Sequence, residues 1–175
     1  RVPGTLDPFE LSLRAILGQQ VTVKAASTLF GRFVDRFGIP VETPLPGLDR
    51  CAPPAEALAD AALQDIIDLG VTQRRAATIR ELARALVEKR IVLDHGDRTT
   101  IMDQLLALPG IGPWTAHYIA MRALSDPNAF PAADLGLARA LNLDKPAQLT
   151  RRAEGWQPWR AYGAMHLWHH LSSGG

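Results

Sequence analysis

Apolar residues recur along this chain at helical spacing, and glycine and proline fall between those runs rather than inside them. Phe9, Leu13, Ile16 and Leu17 share one helical face. Asp7-Pro8-Phe9-Glu10 supplies a capping carboxylate, a proline at the first helical position and a glutamate completing a capping-box pattern, so this helix is predicted to stop at Gly18. Ala25, Leu29, Phe33 and Val34 predict a second helix from about Val21, with Gly38 just past its end. Residues 39–54, with five prolines and one glycine, read as a surface loop. Short helices at about 55–60 and 60–68 follow and end near Gly70. Thr72 is placed to cap a longer helix through Ile79, Leu82, Ala83 and Leu86. Its other side carries Arg74, Arg75, Arg80, Arg84, Lys89 and Arg90 and reads as a solvated face. Further helices are predicted over 98–107, Pro113 to about Ala123, Ala133 to Leu141, and Trp159 to Leu171. No segment alternates as a half-buried strand does, and no apolar run approaches the roughly 18 residues of a membrane span. The pattern predicts an all-α protein with no transmembrane segment.

At 175 residues, 47% apolar and 21% charged, the chain can bury one core or two small helical lobes. A lone cysteine, Cys51, excludes an intrachain disulfide and any zinc or iron–sulfur centre ligated by this chain's cysteines alone. The formal net charge of +1 argues against a polyanionic partner only if charge is spread evenly. It is not: residues 38–70 hold one base against six acids, a net −5, which leaves +6 elsewhere. Local potential governs association, so a basic face remains available. The start, Arg1-Val2-Pro3-Gly4, has neither an initiator methionine nor a signal-peptide apolar region, and reads as the beginning of a piece of a longer intracellular protein.

The most informative run is Leu108-Pro109-Gly110-Ile111-Gly112-Pro113-Trp114-Thr115-Ala116. Two glycines around one apolar residue permit a tight turn and close backbone approach, and Ile111 is placed to plug that turn into the core. Pro113 then opens a helix whose free N–H groups favour an anion, with the Thr115 hydroxyl beside them. Backbone donors at Gly110 and Gly112 could hold one phosphate without bulk positive charge. Taken alone, the run is also an ordinary helix–turn–helix connection.

Residues 108–116 resemble the helix-hairpin-helix element of the DNA glycosylase superfamily. In that family an aspartate lies about twenty residues later, and Phe130-Pro131-Ala132-Ala133-Asp134 supplies one. Arg14-Ala15-Ile16-Leu17-Gly18-Gln19-Gln20-Val21-Thr22 and Trp156-Gln157-Pro158-Trp159-Arg160-Ala161-Tyr162 agree in the same order. Together these segments resemble the alkylation-repair branch, the 3-methyladenine DNA glycosylase II group. The resemblance implies a two-lobed all-α glycosylase domain spanning 1–175, with its hairpin motif at 108–116 and a DNA cleft between the lobes. Such relatives often carry a mixed α/β domain ahead of this one.

By that resemblance Asp134 is the catalytic carboxylate, stabilising positive charge on the sugar and orienting or deprotonating the attacking water. Read locally, Asp134 before Leu-Gly-Leu-Ala is an ordinary helix cap, and both roles can coexist. Relatives that also cut the sugar–phosphate backbone carry a Schiff-base lysine where this chain has Trp114, and the nearest downstream lysine is Lys145. The expectation is a monofunctional hydrolase, without lyase activity, acting on 3-methyladenine- and 7-methylguanine-type bases. Cys51 alone cannot form the four-cysteine cluster of the endonuclease-III-like branch. Trp114, Tyr118 and Trp159 are expected to form the pocket for a flipped, electron-poor base; Trp156 and Trp168 read as core. Gln19 and Gln20 occupy the bend that reaches the minor groove in the family, Gln20 standing where some members place an apolar wedge. Leu135 stands where some relatives place a tyrosine.

The carbonyls of Leu106, Leu108 and Ile111 match positions that hold a monovalent cation, Na+ or K+, in family hairpins; no other cofactor is required. His166, His169 and His170 have ligand-like spacing without a neighbouring carboxylate and read as surface or packing residues. The resemblance further implies a monomer acting on duplex DNA containing alkylated bases, in the cytoplasm of a bacterium at the nucleoid. Two other classes compete: a non-catalytic helix-hairpin-helix DNA-binding module of a repair regulator, and a helical protein-interaction scaffold.

Overall fold

The computed structural model describes residues 1–93, 96–143 and 146–173. Ten helices lie among them: α1 (Pro8–Leu17), α2 (Val23–Phe37), α3 (Ala55–Asp60), α4 (Leu63–Ile67), α5 (Gln73–Val87), α6 (Arg98–Ala107), α7 (Pro113–Arg122), α8 (Leu135–Ala140), α9 (Pro146–Glu154) and α10 (Arg160–Ser173). The only extended pairing among the described residues is a single bridge, Pro40 to Arg50, closing the proline-rich loop. The all-α expectation holds, and no described helix is long and apolar enough to cross a membrane.

Capping chemistry accounts for most helix starts. The Asp7 carboxylate accepts from the N–H groups of Phe9 and Glu10, at 2.8 and 3.1 Å. Glu10 does not complete the reciprocal box; it pairs with Arg14 at 2.7 Å instead. α2 begins at Val23 rather than Val21 because the Thr22 hydroxyl accepts from Ala25 N–H. For the same reason α8 starts after Asp134, not at Ala133. Gly38 ends α2 in an extended conformation, not the left-handed one anticipated. Its lack of a side chain matters there because the Val34 and Cys51 carbonyls close over it. The sequence reading missed α9: its apolar positions are sparse and four of its nine residues are charged or amide-bearing.

Two apolar clusters define two lobes. Leu13, Ile16, Phe33, Leu58, Ile79 and Leu82, from α1 to α5, are fully buried in the first, and Leu105 of α6 joins them. Met121, Phe130, Leu137, Leu149, Ala161 and Ala164 form the second. α7 belongs to both: Ala116 and Ile119 face the first cluster, Ala120 and Met121 the second. Full burial of each large aliphatic side chain contributes roughly 1.5–3 kcal/mol, so this shared helix fixes the lobes against one another. Ile111 is 5% exposed and plugs the hairpin into the first core, as its flanking glycines allow.

Candidate active site

Between the lobes lies a cleft of about 1180 Å³, lined by residues drawn from 18–22, 72–78, 110–115 and 133–136. Four helices begin on it, α2, α5, α7 and α8, with caps Thr22, Thr72, Gly112 and Asp134. Three of these caps use a side chain to accept an N–H of their own helix: Thr22 from Ala25, Thr72 from Arg75, and Asp134 from Leu137. Gly112 has none to offer, so the first-turn N–H groups of α7 meet no side-chain cap. Each helix start carries up to about half a positive charge. The cleft is thus electropositive although its charged lining is only Arg74, Arg75 and Asp134.

Asp134 is half-buried, and both of its oxygens are engaged. Oδ1 accepts from Leu137 N–H at 2.8 Å and from the Trp168 indole N–H at 3.1 Å. Oδ2 accepts from the Trp114 indole N–H at 2.9 Å. An ionised carboxylate offers about four acceptor sites, so one remains, on Oδ2. Trp114 lies parallel to Tyr118, ring centres 5.3 Å apart, and Tyr118 meets Trp168 at 6.1 Å and 60°. Arg122 donates to the Tyr118 hydroxyl at 3.2 Å. Three aromatic rings therefore surround one side of the carboxylate. The residue before Tyr118, His117, accepts at Nδ1 from Phe130 N–H at 3.4 Å. Burial, reinforced by the positive charge of Arg160 and opposed by Asp126, holds its imidazole below the usual pKa of 6.5.

The structure brings together Asp134, Trp114 and Tyr118 as the sequence grouped them, and leaves Trp159 out. Trp159 is 57% exposed and lies edge-on to Tyr162 at 5.7 Å; like Tyr118 and Trp168 it does not itself line the cleft. Trp168 packs against the second core, as expected of it, and in addition donates its indole N–H to the carboxylate. The signal was in the spacing: Trp168 lies on the helical stripe of buried Ala161 and Ala164, at i+7 and i+4, and α10 packs against α8. Trp159 precedes the helix. Trp156 packs edge-on against Phe130 at 5.9 Å, in keeping with its assignment to the core.

Gln20 is exposed on the cleft with φ +55. Gln19 turns inward instead of outward: its amide donates to Thr115 Oγ1 at 2.9 Å and to the Gly110 carbonyl at 3.2 Å. Thr115 is 2% exposed, so its hydroxyl faces Gln19 rather than a ligand. Gly110 has φ +91, and Gly112 caps α7. Of the three carbonyl residues, Leu106 is exposed while Leu108 and Ile111 are buried; the Leu108 carbonyl accepts from Ile111 N–H at 3.1 Å. The arginines of α5 are only partly a solvated face, since Arg75 donates to the Gln19 carbonyl and Arg84 to that of Ala59. Lys145 lies outside the described residues. Among those described, no group of three His, Cys, Asp or Glu side chains is placed to hold a metal ion.

A two-lobed helical domain with a glycine-capped hairpin and a carboxylate facing one cleft defines a class of DNA base-excision proteins. The chain belongs to the HhH-GPD superfamily of base excision DNA repair proteins, whose family model matches residues 13–155. It is 48% identical over 173 residues to a probable bifunctional transcriptional activator/DNA repair enzyme AlkA of Mycobacterium tuberculosis H37Rv, covering 96% of this chain and 34% of that protein. It is 36% identical over 170 residues to DNA-3-methyladenine glycosylase 2 of Escherichia coli K12, covering 97% of this chain and 60% of that one. The structure of a 3-methyladenine DNA-glycosylase from Archaeoglobus fulgidus superimposes with a TM-score of 0.82 at 26% identity, over 96% of this chain and 59% of that chain. The chain thus spans one third to three fifths of the length of these relatives.

Proposed function

We propose that this domain is a monofunctional DNA glycosylase that hydrolyses the N-glycosidic bond of alkylated purines, of the 3-methyladenine and 7-methylguanine type, in duplex DNA. The observation that carries the reading is Asp134, held between two indole N–H groups on the same cleft as the uncapped start of α7. One feature suits a phosphate and the other a developing sugar cation, and a flipped nucleotide presents both. The names of the similar proteins point the same way.

In this mechanism the hairpin donors of α7 grip a backbone phosphate while Gln20 enters the space the target base leaves. The base stacks against Trp114, the one of these rings that lines the cleft, with Tyr118 and Trp168 packed behind it. An N-alkylated purine nucleoside is cationic, which favours contact with electron-rich rings, and its base departs neutral with the electron pair of the C1′–N bond. No general acid is needed for that departure. The free acceptor site of Asp134 Oδ2 then faces the cationic sugar or orients the water that attacks C1′. The indole N–H groups keep the carboxylate in place by binding its charged form.

Absence of lyase activity is part of the proposal. Trp114 stands at the hairpin position, and among the described residues no lysine lines the cleft, so a Schiff-base nucleophile is missing where it would be required. The carbonyls of Leu106, Leu108 and Ile111 are hard oxygen donors that suit Na+ or K+, and such an ion would add positive charge beside the gripped phosphate. One copy of the chain supplies every residue of this site, in keeping with a monomer.

Incubation with dimethyl-sulfate-treated duplex, followed by hot alkali, tests the reading. The expected result is strand breaks only after alkali. Both readings are taken relative to duplex treated identically without protein: extra breaks before alkali would show lyase chemistry, and binding with no breaks beyond that control would make the domain a non-catalytic DNA-binding module.

A further inference from the structure

Helix α5 touches both of the loops that the proposed function assigns to DNA, and it does so through two residues one turn apart. Arg75 Nη2 donates to the Gln19 carbonyl at 2.6 Å, and Thr78 Oγ1 donates to the Pro109 carbonyl at 2.9 Å. The Gln19 amide closes the circuit to Gly110 and Thr115 of the hairpin. The bend and the hairpin are about ninety positions apart in sequence, yet they form one hydrogen-bonded body with α5 as its strut. Next to Gln19 sits Gln20, a non-glycine residue at φ +55, a conformation that persists only where its surroundings impose it.

We infer that Arg75, acting through the Gln19 carbonyl, is a positioning residue that fixes Gln20 relative to the phosphate-gripping hairpin and so drives extrusion of a paired base. This rests on the glycosylase reading above. Extrusion costs a few kcal/mol of stacking and pairing for a paired base and far less for an unpaired one. The wedge can oppose that cost only if it does not recoil when the duplex presses on it. A charge-assisted bond to the carbonyl preceding Gln20, and a side-chain amide anchored in the hairpin, resist that recoil. Arg75 touches neither the base nor the sugar in this scheme, so it acts before bond cleavage.

The test compares release of a single 7-methylguanine from two duplexes under single-turnover conditions, one with cytosine opposite the lesion and one with an abasic-site analogue opposite. Arg75→Met should slow release from the paired duplex by about tenfold or more, the worth of a hydrogen bond to a charged group, and change release from the unpaired duplex by no more than about twofold. Arg75→Lys, which keeps charge and a donor, should recover most of the lost rate. Equal losses on both duplexes would indicate a general folding or charge effect and overturn the inference, as would no loss on either. If wild type releases base from neither duplex, the glycosylase reading fails instead. Fluorescence of 2-aminopurine placed beside the lesion then decides the positioning role separately. Unstacking that Arg75→Met abolishes and Arg75→Lys restores supports it, and unstacking that is unchanged overturns it.

Discussion

Replacing Gly110 by alanine probes the hairpin at its tightest point. Gly110 has φ +91, a backbone region that costs an L-residue roughly 1–2 kcal/mol. A Cβ there would also overlap the Thr78 hydroxyl and meet Thr78 Cβ and Cγ2 at 3.0 and 3.1 Å. Thr78 is 3% exposed and bonded to Pro109, so it has little room to yield, and overpacking of this kind adds about 1–3 kcal/mol. The combined loss, about 2–5 kcal/mol, corresponds to a fall in Tm on the order of 5–20 °C for a chain of this length. Thermal unfolding by circular dichroism measures it. Thr78→Ala in the same chain removes the overlap with Oγ1 and the Cγ2 contact, leaving the 3.0 Å Cβ contact and the backbone cost, so the double variant should recover up to about 1–3 kcal/mol over additivity. A Gly110→Ala protein melting within about 1 °C of wild type would refute both the left-handed turn and the Thr78 contact, and a double-mutant cycle that closes additively would refute the contact.

Three further outcomes follow from the geometry. Trp168→Phe keeps an aromatic ring but removes one N–H from Asp134, and should lower base release by about tenfold with duplex binding retained. Trp159→Ala, by contrast, should leave release within about twofold of wild type because that ring packs on Tyr162 at the surface and makes no hydrogen bond to Asp134; pre-steady-state excision measures both. His117 titrates below its ordinary pKa in the folded chain, so the unfolded chain binds its proton first as pH falls. Stability should therefore be complete above about pH 6.5 and decline as pH drops toward the folded-state value, and His117→Asn should flatten the decline in Tm recorded from pH 7.5 to 5.5.

Helix existence was legible wherever a periodic apolar face met a capping side chain, as at Asp7, Thr72 and Asp134, because both signals are local. α9 was not, since its sparse apolar face is read only against the lobe that covers it. The hairpin and Asp134 were found by a motif whose spacing the chain itself carries. What the sequence could not convey was direction. Gln19 and Gln20 are identical neighbours, yet one amide points into the hairpin and the other to the cleft, a difference set by partners about ninety positions away. The indole N–H of Trp168 reaches Asp134 for a related reason: its direction depends on which face of α10 meets α8. By sequence alone Arg75 is one of four arginines on the solvated side of α5; only the carbonyl of Gln19 beside it sets it apart. The uneven charge was legible behind the near-neutral sum, but the four helix N-termini that meet on the cleft were not, because they carry no side-chain signal.

The central claim is that Asp134 performs the chemistry while the hairpin performs the binding. Asp134→Asn keeps a side chain able to cap α8 and removes the charge that would face the sugar. On duplex DNA carrying a single 7-methylguanine, the variant should bind with nearly wild-type affinity at matched salt and release base at least about 100-fold more slowly in single-turnover assays. Release within about twofold of wild type would contradict the assignment, since a neutral amide cannot replace the carboxylate's electrostatic role.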